Sequence, residues 1–576
     1  MSVTVGGITH SVPGAYGDIK VENAGASAIP AFNGLLVIAN ARQGIPVSAG
    51  DGSVVIQQFS DLKSVKKCYG VGDLSNAVAQ NQVGGANVVY TITPAPLTRA
   101  TLPMLDGATT PLPIFNLAPA IYGAPGNDIQ LVITNDSTNI GISVTPPKYT
   151  KFLTADLNST GSKTLSLDDV SQLSVGDQVY CTANGVTPVY TSATITSIDD
   201  VLNQVTLDTT IQSLTQANYA RLFSPDVNNK KSTTILLALS NVLSAVLNFF
   251  NSTGIFVASR DITNTGSIAT IAPVNNFLGL LVHSPATLGT SPIATTTTNG
   301  DWATLAGSLP QLMEEFTNFT KNRIRILNVI SPIATLHSTF SGIAKILRKN
   351  QYSVLVITGA DKGDVLKTST DAGHPINRAK ALNSSDVALA GIGLDGNAAY
   401  LSLAPQFAGM LSSNSVGRNF TKDSITANSV EKTFGEFNKE TDSTNYVNNS
   451  VLIVSSTKNG FEITQAINTY QNHGASWNED DNASFLIQQV QIIDYVYEGF
   501  HDEMETLAGS DNLTLTNAST KGIDCLDGFI AEGVITDRKI SIVPQGNNAL
   551  MLTPEVTPIN SEDFIGFDLL VNLKSN

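Results

Sequence analysis

The C-terminal segment constrains this chain more than any other stretch. Its apolar residues fall at every second position, at Ile565, Phe567, Leu569, Val571 and Leu573. That spacing is typical of a β-strand with one buried face. A terminal strand this apolar must pair within its own fold or with a sheet edge of another chain. Two prolines, Pro554 and Pro558, are expected to separate it from the preceding strand, so we interpret it as a mobile assembly arm.

The N-terminal residues 1–25 suggest a second arm. Val3 and Val5 alternate with polar neighbours, but the segment is too short to fold by itself. A frayed terminus is the alternative interpretation of this segment when it is considered alone.

Composition and charge narrow the function classes. Only 14% of the 576 residues are charged, against roughly 25% in a typical soluble protein. A surface with few charges is easier to desolvate, which suits a protein that ends up in many contacts; a loop-rich β protein is the other explanation. The net charge of −16 argues against nucleic acid as the main partner, because phosphate binding requires a cationic surface.

Targeting and metal-binding patterns are not found. The first residues lack a basic region followed by an apolar run, so we expect no signal peptide. No apolar run reaches the ~18 residues that a membrane span requires. Cys68, Cys181 and Cys525 are far apart and fit neither a disulfide framework nor a zinc pattern. We therefore expect a protein made in the cytosol, with no metal and no cofactor.

Alternating helix and strand patterns predict an α/β core. Continuous apolar runs at 34–41 and 86–92 are typical of buried strands. Helical spacing occurs at 74–83, 233–250, 308–319 and 336–349, and further buried strands are expected at 277–282 and 353–358. This alternation favours an α/β layer with a largely parallel sheet.

Residues 155–222 differ, because short strands recur there at regular spacing with Gly, Asn and Asp at the turns. The pattern predicts a small all-β barrel or sandwich inserted into the chain. Near the C-terminus, helices are expected at 484–507 and 522–532. The predicted segments are an N-terminal arm at 1–25, a first core part at 26–97, a β-rich domain at 98–149, the insertion at 150–222, an α/β domain at 223–411, a polar loop at 412–448, a C-terminal core domain at 449–546 and a C-terminal arm at 547–576.

One catalogued motif is present. Gly391, Gly393 and Gly396 form a GxGxxG between a predicted strand and a predicted helix at 400–411, the context of a dinucleotide-binding loop. The acidic strand that should follow is missing, and packing alone often places glycines in such turns. The six histidines are scattered, with no Cys or His at ligand spacing. The carboxylate pairs at 168–169 and 199–200 and the run at 479–481 are interpreted as solvated turns. Nothing in the sequence argues for an enzyme.

The order of several weak motifs resembles the tail sheath proteins of contractile-tailed phages and related contractile injection systems. The motifs that carry the resemblance are Pro13-Gly14-Ala15-Tyr16, Phe32-Asn33-Gly34 with Gly44-Ile45-Pro46, the helices and strand between Phe59 and Tyr90, Tyr122 to Ile129, Arg378 to Asn383, and Leu552 to Leu573. The family has Val where Ala15 stands, which is a minor departure. The resemblance covers most of the chain except 150–222 and 412–448, and the insertion resembles variable decorations on the outer surface of such proteins.

The resemblance implies a mechanical protein. Sheath subunits form stacked hexameric rings around an inner tail tube, and their terminal arms add strands to neighbouring subunits. Contraction from a metastable extended state drives the tube through the host envelope without nucleotide hydrolysis. The implied partners are further copies of the chain, the tube protein, and baseplate and tail terminator proteins. The implied location is the virion tail, assembled in the host cytoplasm.

The resemblance also assigns residues. Ile565, Phe567, Leu569 and Val571 would form the buried face of the strand donated at the C-terminus, and Val3 and Val5 that of the N-terminal one. A helix near the C-terminus would face the tube. Both predicted C-terminal helices compete for this role, and the acidic residues Glu498, Asp502 and Glu505 at the end of the first would need a basic tube surface.

Two other hypotheses stay open at this point. A surface-layer or fibre protein explains the composition and the β insertion, but it does not explain an α/β core with two arms. A nucleotide-dependent enzyme built on the GxGxxG motif predicts cofactor binding by a soluble monomer or small oligomer.

Overall fold

The computed structural model describes most of the chain. The described residues are 3–5, 8–10, 34–46, 55–95, 97–170, 172–184, 190–200, 202–281, 299–320, 322–331, 333–349, 352–360, 363–391, 403–427, 441–457, 460–471, 485–506, 514–544, 549–559, 565–566 and 569–572. The early Pro13–Tyr16 motif, Gly393, Gly396, the acidic run at 479–481, Phe567 and Leu573 lie outside them.

Helices and strands alternate over these residues. The helices, α1 to α11 in chain order, are Leu62–Tyr69, Asp73–Val83, Val242–Ser252, Leu278–Leu281, Asn299–Thr320, Ala334–Lys349, Pro375–Leu382, Leu403–Ser413, Thr441–Asn448, Ile487–Glu505 and Leu515–Ala531. Strands β1 to β14 are Val3–Val5, Ile8–His10, Leu35–Ile38, Gln57–Phe59, Val89–Ile92, Leu102–Leu105, Pro113–Pro119, Gln130–Asn135, Asn139–Thr145, Pro147–Phe152, Ser162–Ser166, Gln178–Thr182, Thr191–Asp199 and Gln204–Ile211. Strands β15 to β28 are Arg221–Pro225, Lys231–Leu236, Phe256–Ser259, Val274–Phe277, Ile326–Val329, Leu355–Gly359, Val387–Ala390, Ser424–Ile425, Val454–Thr457, Gly460–Ile463, Ile535–Pro544, Ala549–Pro558, Ile565–Gly566 and Leu569–Asn572. The fold is therefore mixed α/β, as the sequence predicts.

The chain divides into two compact units. The first contains Met1–Val37, Ala79–Tyr90 and Ala306–Asn576, and the second contains Ile38–Val78 and Thr91–Leu305. None of the helices in the described part of the chain is long and apolar enough to cross a bilayer.

A six-stranded sheet forms the α/β layer. Its spatial order is β21-β20-β19-β3-β5-β4, and β20 pairs in parallel with both β19 and β21. Strands β3, β5, β19, β20 and β21 are buried along their whole length. Such continuous apolar runs are typical of parallel strands covered by helices, and α6 and α8 pack against β20. The buried strands expected at 34–41, 86–92 and 353–358 are confirmed.

The second unit contains two antiparallel sheets around a common core. Their spatial orders are β16-β9-β8-β18 and β17-β7-β6, and helix α3 adds Val246 and Phe250 to the core. The helix expected over 233–250 is wrong in its first part, because Lys231–Leu236 pairs with β9 as strand β16. The strand expected at 277–282 also differs, since β18 ends at Phe277 and α4 follows. Residues 231–281 thus belong to this sandwich and not to the α/β layer.

The insertion forms a closed barrel. Its six strands pair antiparallel in the order β10-β15-β12-β13-β14-β11, and the bridge Leu153–Leu167 joins the first strand to the last. The barrel has its own apolar core, which includes Leu165, Val179 and Leu222. It leaves the sandwich between β9 and β16, which pair with each other over six residues. An insertion between two paired strands adds a domain without disturbing their sheet.

The segment at 412–448, expected to be a polar loop, contains structure in its described residues. Strand β22 lies in a small sheet with β24 and β23, and helix α9 covers Thr441–Asn448. The helix expected at 522–532 begins earlier, at Leu515, where Thr514 caps it by accepting a hydrogen bond from the backbone N–H of Asn517.

Candidate assembly site

The C-terminal sheet is built on the long hairpin of β25 and β26. The strands pair antiparallel from Ile535–Pro558 to Pro544–Leu550, with an irregularity between Ile535 and Asp537. Burial alternates along β26, where Leu552 and Val556 are almost inaccessible to solvent. Along β25 most side chains are exposed or half-buried. No strand pairs with the outer edge of β25 within the described residues, so this edge is open.

The terminal strand pairs with the other edge of β26. Glu555 lies opposite Gly566, and Leu550 lies opposite Val571. Both short strands, β27 and β28, keep a single register on β26, as expected for one strand laid along one edge. The period-two pattern of the sequence therefore correctly predicts a terminal strand. In the single chain that strand pairs within its own subunit.

The two prolines do not lie in a linker before the terminal strand. Pro554 and Pro558 both belong to β26, where they lie opposite Ile540 and Ile535 of β25. The sequence interpretation was wrong here because prolines were taken to exclude a strand, whereas a strand tolerates proline where one ladder hydrogen bond is missing. The segment between β26 and β27 is instead 559–564, of which only Ile559 is described.

The N-terminal strand also pairs locally. Val3–Val5 forms a small antiparallel hairpin with Ile8–His10, with Val5 opposite Ile8. Two strands of three residues are too short to be stable by themselves in water. The roles predicted for Val3 and Val5, and for Ile565, Leu569 and Val571, in contacts between subunits stay predictions.

Helices α10 and α11 support the sheet by close packing of glycine against phenylalanine. A Cβ atom on Gly499 of α10 would lie 2.6 Å from Phe529 of α11. A Cβ atom on Gly522 of α11 would lie 2.6 Å from Ile540 of β25 and 3.4 Å from Phe500 of α10. The absence of a side chain at both glycines lets the two helices and β25 approach closely.

Buried ion pairs fix the inner face of α10 to the edge of the parallel sheet. The carboxylate of Glu498 lies 2.5 Å from Arg325 Nη1 and 3.0 Å from Arg323 Nη1, and it accepts a hydrogen bond of 2.6 Å from the backbone N–H of Ser353. These partners come just before β19 and β20, so they lie where parallel strands begin. Only 3% of the Glu498 side chain is exposed. Glu498 therefore does not lie on an open acidic face, which corrects the sequence prediction.

Two further ion pairs share Arg348, and one of them involves Asp494, one turn earlier on the same face of α10. Arg348 Nη2 lies 2.8 Å from Asp494 Oδ2, and Arg348 Nη1 lies 2.6 Å from Asp386 Oδ1. Burial raises the pKa of Asp494 from its ordinary value of 3.8 to about 6, against the opposing effect of Arg348. Sequence reasoning missed this network. The signal was present as acidic residues at intervals of four, at 494, 498 and 502, which places them on one helix face.

Of the acidic residues predicted to face a tube, Asp502 and Glu505 are exposed. Arg323 Nη2 lies 3.6 Å from Asp502 Oδ2, and 56% of the Asp502 side chain is accessible. Contact with a tube stays a prediction for this end of α10.

The other candidate motifs have structural explanations where they are described. A Cβ atom on Gly391 would lie 2.3 Å from Val451 Cγ1, so close packing accounts for this glycine. Strand β21 precedes Gly391, and helix α8, Leu403–Ser413, contains the described part of the helix expected at 400–411. Asp168 and Asp169 are not solvated turn residues, because Asp169 pairs with buried Lys151 at 2.5 Å and burial raises the pKa of Asp168 to about 6. Asp199 and Asp200 are exposed, as expected.

Comparison with solved structures decides the fold. A sheath tail protein from Desulfitobacterium hafniense superposes with a TM-score of 0.52 at 12% identity, covering 94% of this chain and 98% of that one. The chain has the fold of a sheath tail protein. Two cryo-EM structures of the anti-feeding prophage are more distant, at 12% identity each. Its baseplate gives a TM-score of 0.33 over 50% of this chain and 74% of that one, and its contracted helical sheath gives 0.32 over 50% and 75%.

No protein-family model and no curated protein sequence matches the chain. The likeness to the D. hafniense protein extends over nearly the whole length of both chains. The resemblance that the sequence motifs indicate is thereby confirmed at the level of the fold.

Proposed function

We propose that the protein is a structural subunit of a contractile tail sheath, and that exchange of terminal strands links its copies. The observation that carries the proposal is the pairing of β27 and β28 with β26 in a single register. Any strand pairing that forms within one chain can form equally between two identical chains. Exchange of this kind is a low-cost route to assembly, because each copy loses and regains the same hydrogen bonds.

The open edge of β25 would accept a second strand. This edge is ten residues long, and charged Asp537, Arg538 and Lys539 lie along it. Charged side chains on an edge strand hinder unspecific pairing and so leave the edge available for a matched partner. The N-terminal strand Val3–Val5 of another copy has the size and pattern of such a partner. A four-stranded sheet shared among copies would result.

Copies linked in this way would form stacked hexameric rings around an inner tail tube. During contraction the copies would rotate and slide while the exchanged strands keep them connected, and the shortening would drive the tube through the host envelope. The free energy would come from better-packed interfaces in the contracted state and not from nucleotide hydrolysis. In this proposal the chain has no catalytic role.

Further partners follow from the same proposal. Exposed Asp502 and Glu505 would face a basic surface of the tube protein. Baseplate and tail terminator proteins would bind the two ends of the sheath, and the whole would be assembled in the host cytoplasm as part of a virion tail.

Negative-stain electron microscopy of the purified full chain at high concentration, alone and with the tube protein, tests the proposal. We expect hollow, cross-striated tubes of uniform width. Flat lattices would instead show a surface-layer protein. Discrete small particles in both samples would contradict the sheath proposal.

A further inference from the structure

The last turn of α10 carries a cluster of three side chains of metal-binding type, and two of them are the exposed Asp502 and Glu505. One nitrogen of His501 and one carboxylate oxygen each of Asp502 and Glu505 lie within 4.8 Å of one another. His501 and Glu505 are four residues apart, and Asp502 and Glu505 are three apart, so all three lie on adjoining faces of one helical turn. The cluster thus combines one imidazole with two carboxylates, a mixed set of metal-binding groups.

The histidine points to a ligand. Its Nδ1 atom is buried and accepts or donates no hydrogen bond within the described residues. The nearest charged group is Asp502 Oδ1, at 3.9 Å, which is too long for a hydrogen bond. A buried polar atom without a partner costs free energy, so such atoms are rare in folded proteins.

The two carboxylates are available for a cation. Glu505 is exposed and has no ion-pair partner in the part of the chain that the structure describes. Asp502 faces Arg323 only through Oδ2, at 3.6 Å, and this leaves Oδ1 on the side of His501. The helix C-terminus adds a partial negative charge to the same place. Two carboxylates balance the charge of one divalent cation.

We infer that His501, Asp502 and Glu505 bind one first-row transition-metal ion, with Zn²⁺ as the best match. Three ligands from imidazole and carboxylate groups leave one position of a tetrahedral zinc site open. Mg²⁺ and Ca²⁺ prefer oxygen ligands alone, so the imidazole selects against them. The open position would accept water or a side chain of a neighbouring protein. The inference does not depend on the proposed sheath function.

Isothermal titration of the full chain with ZnCl₂ tests the site. We expect one zinc ion per chain at this site at pH 7.5, and no heat from MgCl₂ at the same concentrations. Glu505→Gln and Asp502→Asn change exposed side chains and so leave the fold intact. Each should weaken zinc binding by about 100-fold. Removal of an outer-shell contact costs roughly 10–100-fold in affinity, and a direct ligand should cost at least as much as the largest of these losses.

Glu503→Gln is the matched control. Glu503 lies on the same turn, but its carboxylate pairs with Lys521 at 2.9 Å and is not part of the cluster. This variant should bind zinc as the unchanged chain does. His501→Ala should remove binding.

Location of the ion provides an independent readout. Anomalous X-ray diffraction at the zinc edge should place a peak about 2.0–2.1 Å from His501 Nδ1. The inference is overturned if the full chain binds no zinc in the titration, or if Glu505→Gln and His501→Ala bind it unchanged. A peak at another histidine or cysteine would overturn it equally.

Discussion

The inserted barrel and the C-terminal sheet differ in whether their edge strands are paired. The barrel closes on itself through the Leu153–Leu167 bridge, so all six of its strands have two neighbours. The C-terminal sheet leaves the outer edge of β25 open and covers the edge of β26 with a short terminal strand. Closure removes sites for pairing with other chains, whereas an open sheet offers them. The comparison teaches that the barrel pairs all of its own strands, whereas the C-terminal sheet keeps an edge at which the proposed assembly would take place.

The barrel and the terminal strand also differ in how each is held in place: the barrel by a buried ion pair to the sandwich, and the terminal strand by pairing with β26. Arg221 of β15 donates two hydrogen bonds of 2.7 Å to Asp128, and both side chains are almost fully buried. Asp128 ends the buried turn Ala124–Asp128 of the sandwich, so this pair fixes the barrel to it. The terminal strand pairs with one edge of β26, and helix α10 also contacts β28. In the proposal this strand leaves one copy and joins another.

The largest expected effect comes from removing one region or the other. A chain that ends at Asn560 lacks β27 and β28 and should form no tubes, because the exchanged strand is missing. A chain with 147–225 replaced by a short linker should still form them. Its ends can be joined, since Asp226 N donates a 2.7 Å hydrogen bond to Pro146 O. Electron microscopy of both variants measures the effect.

Circular dichroism and thermal melting of the two variants provide the control for folding. Both should keep the unfolding transition of the α/β layer. Two outcomes would contradict the proposed difference between the regions. One is tube formation by the chain that ends at Asn560, and the other is loss of tubes after excision of the barrel while the fold stays intact.

The next effect concerns the buried pair of the barrel. Arg221→Met leaves the Asp128 carboxylate buried without its partner and should destabilise the barrel by about 3–5 kcal/mol. Arg221→Met with Asp128→Asn should recover much of that loss, because no unpaired charge is left. Hydrogen exchange of the barrel amides, followed by mass spectrometry, measures the local opening free energy. Equal losses in the single and double variants would show that the charge is not responsible.

A pH effect is expected in both regions. Burial raises the pKa of Asp494 on the inner face of α10 and of Asp168 in the barrel from 3.8 to about 6. The folded chain therefore holds protons that the unfolded chain releases, so these groups make stability fall as the pH rises from about 4 to about 6. Asp494→Asn and Asp168→Asn should each remove part of that slope. Urea denaturation at several pH values measures it, and a slope unchanged in both variants would contradict the assignment.

The smallest effect concerns an exposed pair of the C-terminal sheet. Arg538 of β25 pairs with Asp527 of α11 at 2.7 Å, with 27% and 49% of the side chains exposed. Solvent screens such pairs, so Arg538→Met should cost about 0–1 kcal/mol, far less than Arg221→Met. Urea denaturation provides the measurement. A loss as large as that of the barrel variant would mean that exposure does not distinguish the two pairs.

The sequence predicts well the strands and helices that have regular hydrophobic spacing. It predicts poorly the features that depend on contacts between distant parts of the chain. Buried strands such as Leu355–Gly359 and the terminal strand follow from local spacing alone. The helix expected from 233 was wrong because pairing of β16 with β9 overrides helical spacing. The prediction that Glu498 is exposed was wrong because its arginine partners lie about 175 residues earlier in the chain. Contacts between residues so far apart leave no pattern in the neighbouring sequence. Only the acidic residues at intervals of four on α10 indicated that this helix face binds basic partners.

The exchange of the terminal strand is tested most directly by disulfide formation between copies. Leu550 and Val571 lie opposite each other across β26 and β28. Leu550→Cys and Val571→Cys are made in separate chains whose Cys68, Cys181 and Cys525 are replaced by alanine. The two chains are mixed, concentrated and oxidised, with each single variant alone as the control. The account predicts covalent dimers in the mixture only; a mixture that stays monomeric, while a chain carrying both cysteines closes its own disulfide, would contradict it.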